Sequence, residues 1–165
     1  MTAGQIYYDI IPSPIGPMML VADDDGLREL RFELDYRPQT PLDGWVHAPE
    51  KLAQVRIQLE EYFAGERVEF DLKLNMQGTD FQKDVWQALV TIPYGVTTSY
   101  GEISQQINRP KASRAVGAAN GRNPVPVIVP CHRVIGSNGS LTGFGGGLAA
   151  KQWLLELESR RFALR

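Results

Sequence analysis

The chain has 165 residues but a single cysteine, Cys131, and two histidines, His47 and His132. One cysteine excludes an internal disulfide. One cysteine and two histidines also fall short of an ordinary four-ligand structural zinc site unless carboxylates join them, so no metal and no cofactor are expected. No apolar run approaches the roughly 18 residues that a membrane span requires, and the N-terminus lacks the basic-then-apolar pattern of a secretion signal. The expectation is a cytoplasmic protein that makes no membrane contact. Internal repeats and low-complexity tracts are missing. The glycines at Gly143 and Gly145 to Gly147 lack the lysine and serine or threonine spacing of a phosphate-binding loop.

Acidic residues are missing from one long stretch, Ile103 to Leu155, which nevertheless holds Arg109, Lys111, Arg114, Arg122, Arg133 and Lys151. Residues 1–80 carry 7 Lys+Arg against 15 Asp+Glu, about −8, whereas residues 81–165 carry 10 against 4, about +6. The overall charge of −2 conceals this division. A basic surface for a polyanion is one reading; a basic face that is merely solvated, or pairs with the acidic half, is the other. Hydrophobic residues make up 43% of the chain, enough for a real core in one large domain or two small ones.

Three strands are expected in the first half, at Ile6 to Ile11, Met18 to Val21 and Leu27 to Leu34, with Asp23 to Gly26 as a turn. Pro12, Pro14 and Pro17 confine the first connection to a loop or edge. Leu52, Val55, Leu59, Tyr62 and Phe63 predict a helix from about Pro49 to Ala64, stopped by Gly65, and Val68 to Leu74 alternates like a further strand. No acids, bases or nucleophiles stand at catalytic spacing here, so residues 1–78 read as a scaffold domain and residues 79–165 as a second domain. Thr79 with Gln82 is a capping-box pattern, continued by Phe81, Val85, Leu89 and Ile92 and ended by Pro93-Tyr94-Gly95. Ser99 with Glu102 repeats it, and a third short helix is expected from about Lys111 to Ala119. Two short helices joined by a tight turn have the outline of a helix-turn-helix. The second is nearly devoid of large side chains, through Ala112, Ser113, Ala115, Gly117, Ala118 and Ala119. Such a helix either packs tightly in a core or lies smoothly against a sugar-phosphate backbone, with Arg114 as its long projection.

Val125 to Val129, bounded by Pro124, Pro126 and Pro130, reads as a buried, edge-like strand that ends at Cys131. A thiol attacks as the thiolate, so it needs a base or positive charge beside it, and His132 and Arg133 are adjacent in sequence. Neighbouring side chains in an extended chain point to opposite faces. Either the backbone bends at Cys131 or a water relays the proton to His132. Glu156 and Glu158 are the only acids after Glu102, and Glu158, among Leu154, Leu155 and Leu157, is the better candidate to orient His132. An inert buried cysteine and a solvated glutamate remain the plain alternatives. Gly136 to Gly139 is turn-like, and the glycines that follow would let backbone amides approach a planar ligand.

Pro130-Cys131-His132-Arg133-Val134-Ile135-Gly136, preceded by Arg114 to Gly117 and Asn123 to Pro126, and followed by Gly143 to Leu148 and Trp153-Leu154-Leu155, closely resembles the O6-alkylguanine-DNA alkyltransferases. The likeness runs almost unbroken from Thr79 to Glu158. It implies a ribonuclease H-like α/β N-terminal domain and a mainly α C-terminal domain with a winged helix-turn-helix. It implies double-stranded DNA containing O6-alkylguanine as partner, and a single irreversible transfer of methyl or another alkyl group from O6 of guanine, and from O4 of thymine, to Cys131 after the nucleotide is rotated out of the stack. The protein would be a monomer in solution, cooperative on DNA.

By the same resemblance His132 is the base through water, Glu158 orients it, Tyr100 donates to the leaving guanine and Asn123 supports the turn behind the cysteine. Arg114 fills the vacated space, Lys111, Ala112, Ser113, Ala115 and Gly117 meet DNA, and Val134, Phe144, Gly145 and Gly146 line the pocket. Phe144 stands where tyrosine is common and Gly145 where some members have serine, which affects the range of alkyl groups accepted. Ligands of the zinc-containing members are missing from the N-terminal half. A DNA-binding regulator would account for the charge and the helices but not the cysteine, and relatives that bind without repairing have another residue at that position. A Cys-His-Glu hydrolase would account for the thiol but not the basic, alanine-rich helix.

Overall fold

Strand β2, Met18–Asp23, is a continuous apolar run whose Met18, Met19, Leu20 and Val21 are all buried. Side chains on both of its faces are covered, so it lies in the interior of a sheet. It pairs antiparallel with β1, Tyr7–Ile11, on one side and β3, Gly26–Phe32, on the other, while the two-residue β4, Val46–His47, adds in parallel to β1. The order is β3-β2-β1-β4. A 3-10 turn at Pro49–Leu52, packed against β1 and β2, leads into helix α1, Ala53–Phe63. Leu52 of the turn and Val55, Leu59 and Tyr62 of α1 are buried, and Gly65 closes the helix at φ 77°.

The computed structural model describes residues 4–163, with the side chains of the last three omitted, and divides the chain into two compact units, Met1–Gln77 and Gly78–Arg165.

Val68 to Leu74 does not form the expected strand. Gln58 takes the local backbone, its Nε2 donating to Asp71 O at 3.1 Å and its Oε1 accepting from Asp71 N at 2.9 Å. Only Leu74 bridges to the sheet, at Leu27. Gly26, at φ 147°, permits that approach, because a Cβ there would lie 2.7 Å from Lys73 O.

In the second unit helix α2, Asp80–Val90, opens with the full capping box. Thr79 Oγ1 accepts from Gln82 N at 3.1 Å and Gln82 Oε1 from Thr79 N at 3.0 Å. A short strand β5, Thr98–Ser99, precedes helix α3, Tyr100–Gln106, and Ser99 caps it. The reciprocal half of the second box is replaced, since the Glu102 carboxylate takes the Thr98 hydroxyl instead. Asn108, in the left-handed region at φ 62°, makes the turn into helix α4, Ser113–Gly121.

Helix α4 starts two residues later than its sequence suggests. Ala112 N is engaged with Arg109 O in the preceding turn, so Lys111 and Ala112 lie outside the helix. The helix is divided by face: Val116, Ala119 and Asn120 are packed in the core, while Ser113, Arg114, Ala115 and Ala118 are exposed. Helices α2, α3 and α4 pack on one another, and the buried Trp86 Nε1 donates to Ala119 O at 2.9 Å.

Val125 to Val129 is not a strand either. Pro124, Pro126 and Pro130 remove the N–H groups a ladder needs. The segment instead turns on itself, Val129 N donating to Val125 O at 2.9 Å, with Val127 at φ 75°. Beyond it a 3-10 turn covers Cys131–Arg133, strand β6, Val134–Ile135, pairs in parallel with β5, and helix α5 runs Leu148–Ala163. No helix among the described residues is long and apolar enough to cross a membrane.

Trp86→Phe keeps the packing of α2 on α4 but removes the indole donor from the Ala119 carbonyl, which keeps only the Arg122 N–H at 3.1 Å. We expect it to lower unfolding stability by about 0.5–1.5 kcal/mol, the net worth of one hydrogen bond, read by urea denaturation; an unchanged midpoint would remove this bond from the forces that hold α4.

Candidate active site

Asn123 organises the turn ahead of the cysteine. Its Nδ2 donates to Val129 O at 2.8 Å and its Oδ1 accepts from Val125 N at 3.0 Å, so one buried amide clamps both ends of the proline-rich loop. Cys131 follows, 4% exposed, and Arg133 N donates to Pro130 O, which bends the chain at the cysteine. The bend is present, but no hydrogen bond joins His132 to the Cys131 thiol among the described residues.

His132 is fully buried, with Nε2 2.7 Å from Glu158 Oε2. A carboxylate only accepts hydrogen bonds, so Nε2 carries the proton and Nδ1 keeps a lone pair. That Nδ1 is buried with no hydrogen-bond partner among the described residues. It is a base in a fixed orientation with its acceptor position open.

Glu158, 1% exposed, is shared. Arg133 donates from Nε to Oε1 at 2.9 Å and from Nη2 to Oε2 at 3.0 Å, while its Nη1 reaches Ile92 O at 2.6 Å and its guanidinium lies 5.7 Å from the Tyr94 ring centre. Gly95 N also donates to Oε1. Arg133 and Lys151, counted by sequence with the basic surface, are therefore interior groups, 6% and 0% exposed. Lys151 Nζ bridges Val134 O at 2.6 Å and Thr142 O at 3.0 Å. Sequence spacing held a clue: Lys151, Leu154 and Glu158 stand three and four residues apart, on one face of α5. An acid and a base inside an apolar stripe must be partnered there.

The phenol of Tyr100, at the start of α3, is hydrogen-bonded to the hydroxyl of Thr142, a partner that sequence reasoning did not single out. Gly117 of α4 lies beside that ring, where a Cβ would sit 3.8 Å from it. Of the expected pocket residues Val134 is buried, Phe144 and Gly146 are half-buried and Gly145 is exposed. Arg109, Lys111, Arg114 and Arg122 form the exposed basic set of this unit's helix-turn-helix.

Two family models match, the ribonuclease-like domain of 6-O-methylguanine DNA methyltransferase over residues 6–76 and its DNA-binding domain over residues 80–160. The chain belongs to the 6-O-methylguanine DNA methyltransferase family. Among curated relatives, the methylated-DNA–protein-cysteine methyltransferase of Methanosarcina acetivorans is 54% identical over 153 residues, 93% of this chain and 98% of that one. The Mycobacterium bovis protein of the same name is 54% identical over 157 residues, 94% of each. The crystal structure of Mycobacterium tuberculosis OGT in complex with DNA superposes with a TM-score of 0.88 at 52% identity, covering 94% of both chains.

In this member of the family burial dominates the electrostatics. It pushes the Cys131 thiol up to about 11, against the pull of the Asn123 hydrogen bond and the Lys151 charge, so the resting nucleophile is protonated at neutral pH. Burial likewise holds His132 below its usual range despite the Glu158 carboxylate, with the charges of Arg133 and Lys151 adding to the effect. Glu158 goes the other way: burial opposes ionisation, but the hydrogen bonds and charges of His132 and Arg133 bring it down to about 2. The resting site is a neutral thiol, a neutral imidazole and an ionised Glu158–Arg133 pair.

Both depressed groups stabilise the fold above their unfolded values and lose that contribution on acidification. Stability should fall first below about 6.5, as the unfolded chain's imidazole takes a proton that buried His132 resists, and again from about 4.5 toward 2 as Glu158 is protonated. In Glu158→Gln we expect the decline between pH 4.5 and 2 to be shallower than in wild type, measured by thermal melting across pH. Identical slopes would show that Glu158 is not held ionised by folding.

Proposed function

We infer that the protein repairs DNA by direct reversal, moving the alkyl group of O6-alkylguanine onto Cys131. Its curated relatives are methylated-DNA–protein-cysteine methyltransferases and its Mycobacterium tuberculosis relative binds DNA, so DNA is the partner. The observation that carries the reading is a buried cysteine at a clamped turn, next in sequence to a histidine whose Nε2 is fixed by Glu158 and whose Nδ1 lone pair is open.

The resting thiol needs its proton removed when substrate arrives. Nδ1 of His132 accepts it, across a bridging water, and Glu158 stabilises the imidazolium that forms. The Cys131 sulfur then attacks the alkyl carbon in line, the C–O6 bond breaks, and its electrons pass into the guanine ring. Tyr100 gives that ring a hydrogen bond and its proton. The product is guanine and a thioether at Cys131, which has no ready reverse step, so each molecule reacts once. O4-alkylthymine presents the same chemistry.

A nucleophile buried to this degree is out of reach of a base stacked in a duplex, which supports extrusion of the nucleotide. Arg114, exposed on α4 between Ser113 and Ala115, would enter the gap, with Lys111 and Ala112 in the turn before it against the backbone. Gly117, beside the Tyr100 ring, favours a part in the pocket wall.

Mixing the protein with a duplex containing O6-methylguanine should add one methyl to the peptide that holds Cys131, and Cys131→Ser should add none; intact and peptide mass spectrometry decide it. Turnover beyond one equivalent would overturn the reading. Arg114→Ala should slow repair of duplex by tenfold or more, roughly the loss of 1.4 kcal/mol or more in the transition state, while reaction with the free base O6-benzylguanine is little changed. Equal losses would reject the intercalating role.

A further inference from the structure

The phenol of Tyr100 is not free in the resting protein: its hydrogen-bond partner is the side chain of Thr142. Several independent constraints set that pairing. Strands β5 and β6 pair Thr98 with Val134 and Ser99 with Ile135, which places the start of α3 alongside the segment leaving Cys131. Lys151 then ties Val134 O and Thr142 O to one ammonium, so the backbone of Thr142 is anchored to the helix that also carries Glu158. Gly117 leaves room for the Tyr100 ring on the α4 side. Among the other hydroxyls near this loop, Ser140 Oγ donates to Asn138 at 2.7 Å, and Phe144 has none to offer.

We propose that Thr142 is a positioning residue for the transfer reaction, donating its hydroxyl hydrogen to the Tyr100 phenol oxygen so that the phenol proton is aimed at the departing guanine. The proposal rests on the reading of Tyr100 as the guanine donor. A phenol has one hydrogen and two lone pairs, so it accepts from Thr142 and donates to a base at the same time. Accepting the first bond polarises the second. As sulfur bonds to the alkyl carbon and the C–O6 pair moves into the ring, the guanine nitrogen takes the phenol proton. Thr142 then holds the resulting phenolate oxygen until the proton that left the thiol, carried by His132, is returned through water. No other reactant is required.

A tether on the Tyr100 oxygen acts on the transfer step and not on DNA binding. Single-turnover transfer from an O6-methylguanine duplex should be about tenfold slower in Thr142→Val, the worth of one hydrogen bond in the transition state, with the Kd for the same duplex unchanged. Thr142→Ser, which keeps the hydroxyl, should restore the rate to within about twofold. In a Tyr100→Phe background, Thr142→Val should cost nothing further, because the oxygen it serves is gone. Wild-type rates in Thr142→Val, equal losses in the serine and valine variants, or undiminished loss in the Tyr100→Phe background would each overturn the proposal. A fast Tyr100→Phe single variant would instead overturn the assignment of Tyr100 as donor.

Discussion

A carboxylate buried in a protein needs its lone pairs taken, and Glu158 accepts four hydrogen bonds from three residues at two places in the chain: one from the imidazole of His132, two from the guanidinium of Arg133 and one from the amide of Gly95. The consequences spread outward. Because Glu158 accepts at Nε2 of His132, the imidazole can present only Nδ1 as a base. Burial, with the charges of Arg133 and Lys151 adding to it, keeps that imidazole neutral despite the Glu158 carboxylate. The Ile92 carbonyl is held through the Arg133 guanidinium that also pairs with Glu158.

The thiol fits this picture. A permanently ionised cysteine in a cell would be alkylated and oxidised by whatever reached it. A thiol raised by burial is shielded from such reagents for as long as it keeps its proton. Asn123 supports this from the other side, since it clamps a loop whose prolines leave few backbone donors of their own. The strained Val127, at φ 75°, lies in that loop, between the two ends the amide holds.

Much of the second unit was legible in sequence because its punctuation is local. Thr79 with Gln82 opens a helix wherever it occurs, and the Pro93-Tyr94-Gly95 stop needs no distant partner. The failures share one cause. Val68 to Leu74 alternates like a strand but has its backbone satisfied by Gln58, and Val125 to Val129 is apolar like a strand but is folded by Asn123. In both, a side chain from elsewhere supplies hydrogen bonds that a ladder would otherwise provide, and no periodicity reveals that. Lys151 and Arg133 were misassigned for a related reason: formal charge does not say which side of the surface a long side chain takes.

Sequence by itself singled out the cysteine and the histidine next to it, and determined the order of the helices and the division of charge between the two halves, because each is a property of residues close together in the chain. Only tertiary structure decided which nitrogen of His132 is engaged and which keeps its lone pair, that the thiol rests protonated, that Arg133 and Lys151 are interior ions and that Thr142 meets Tyr100. Each of these depends on burial and on contacts made across the fold, such as Lys151 with Val134, 17 positions apart, and Gly95 with Glu158, 63 positions apart. Desolvation and hydrogen-bond geometry at that range exist only once the chain has folded.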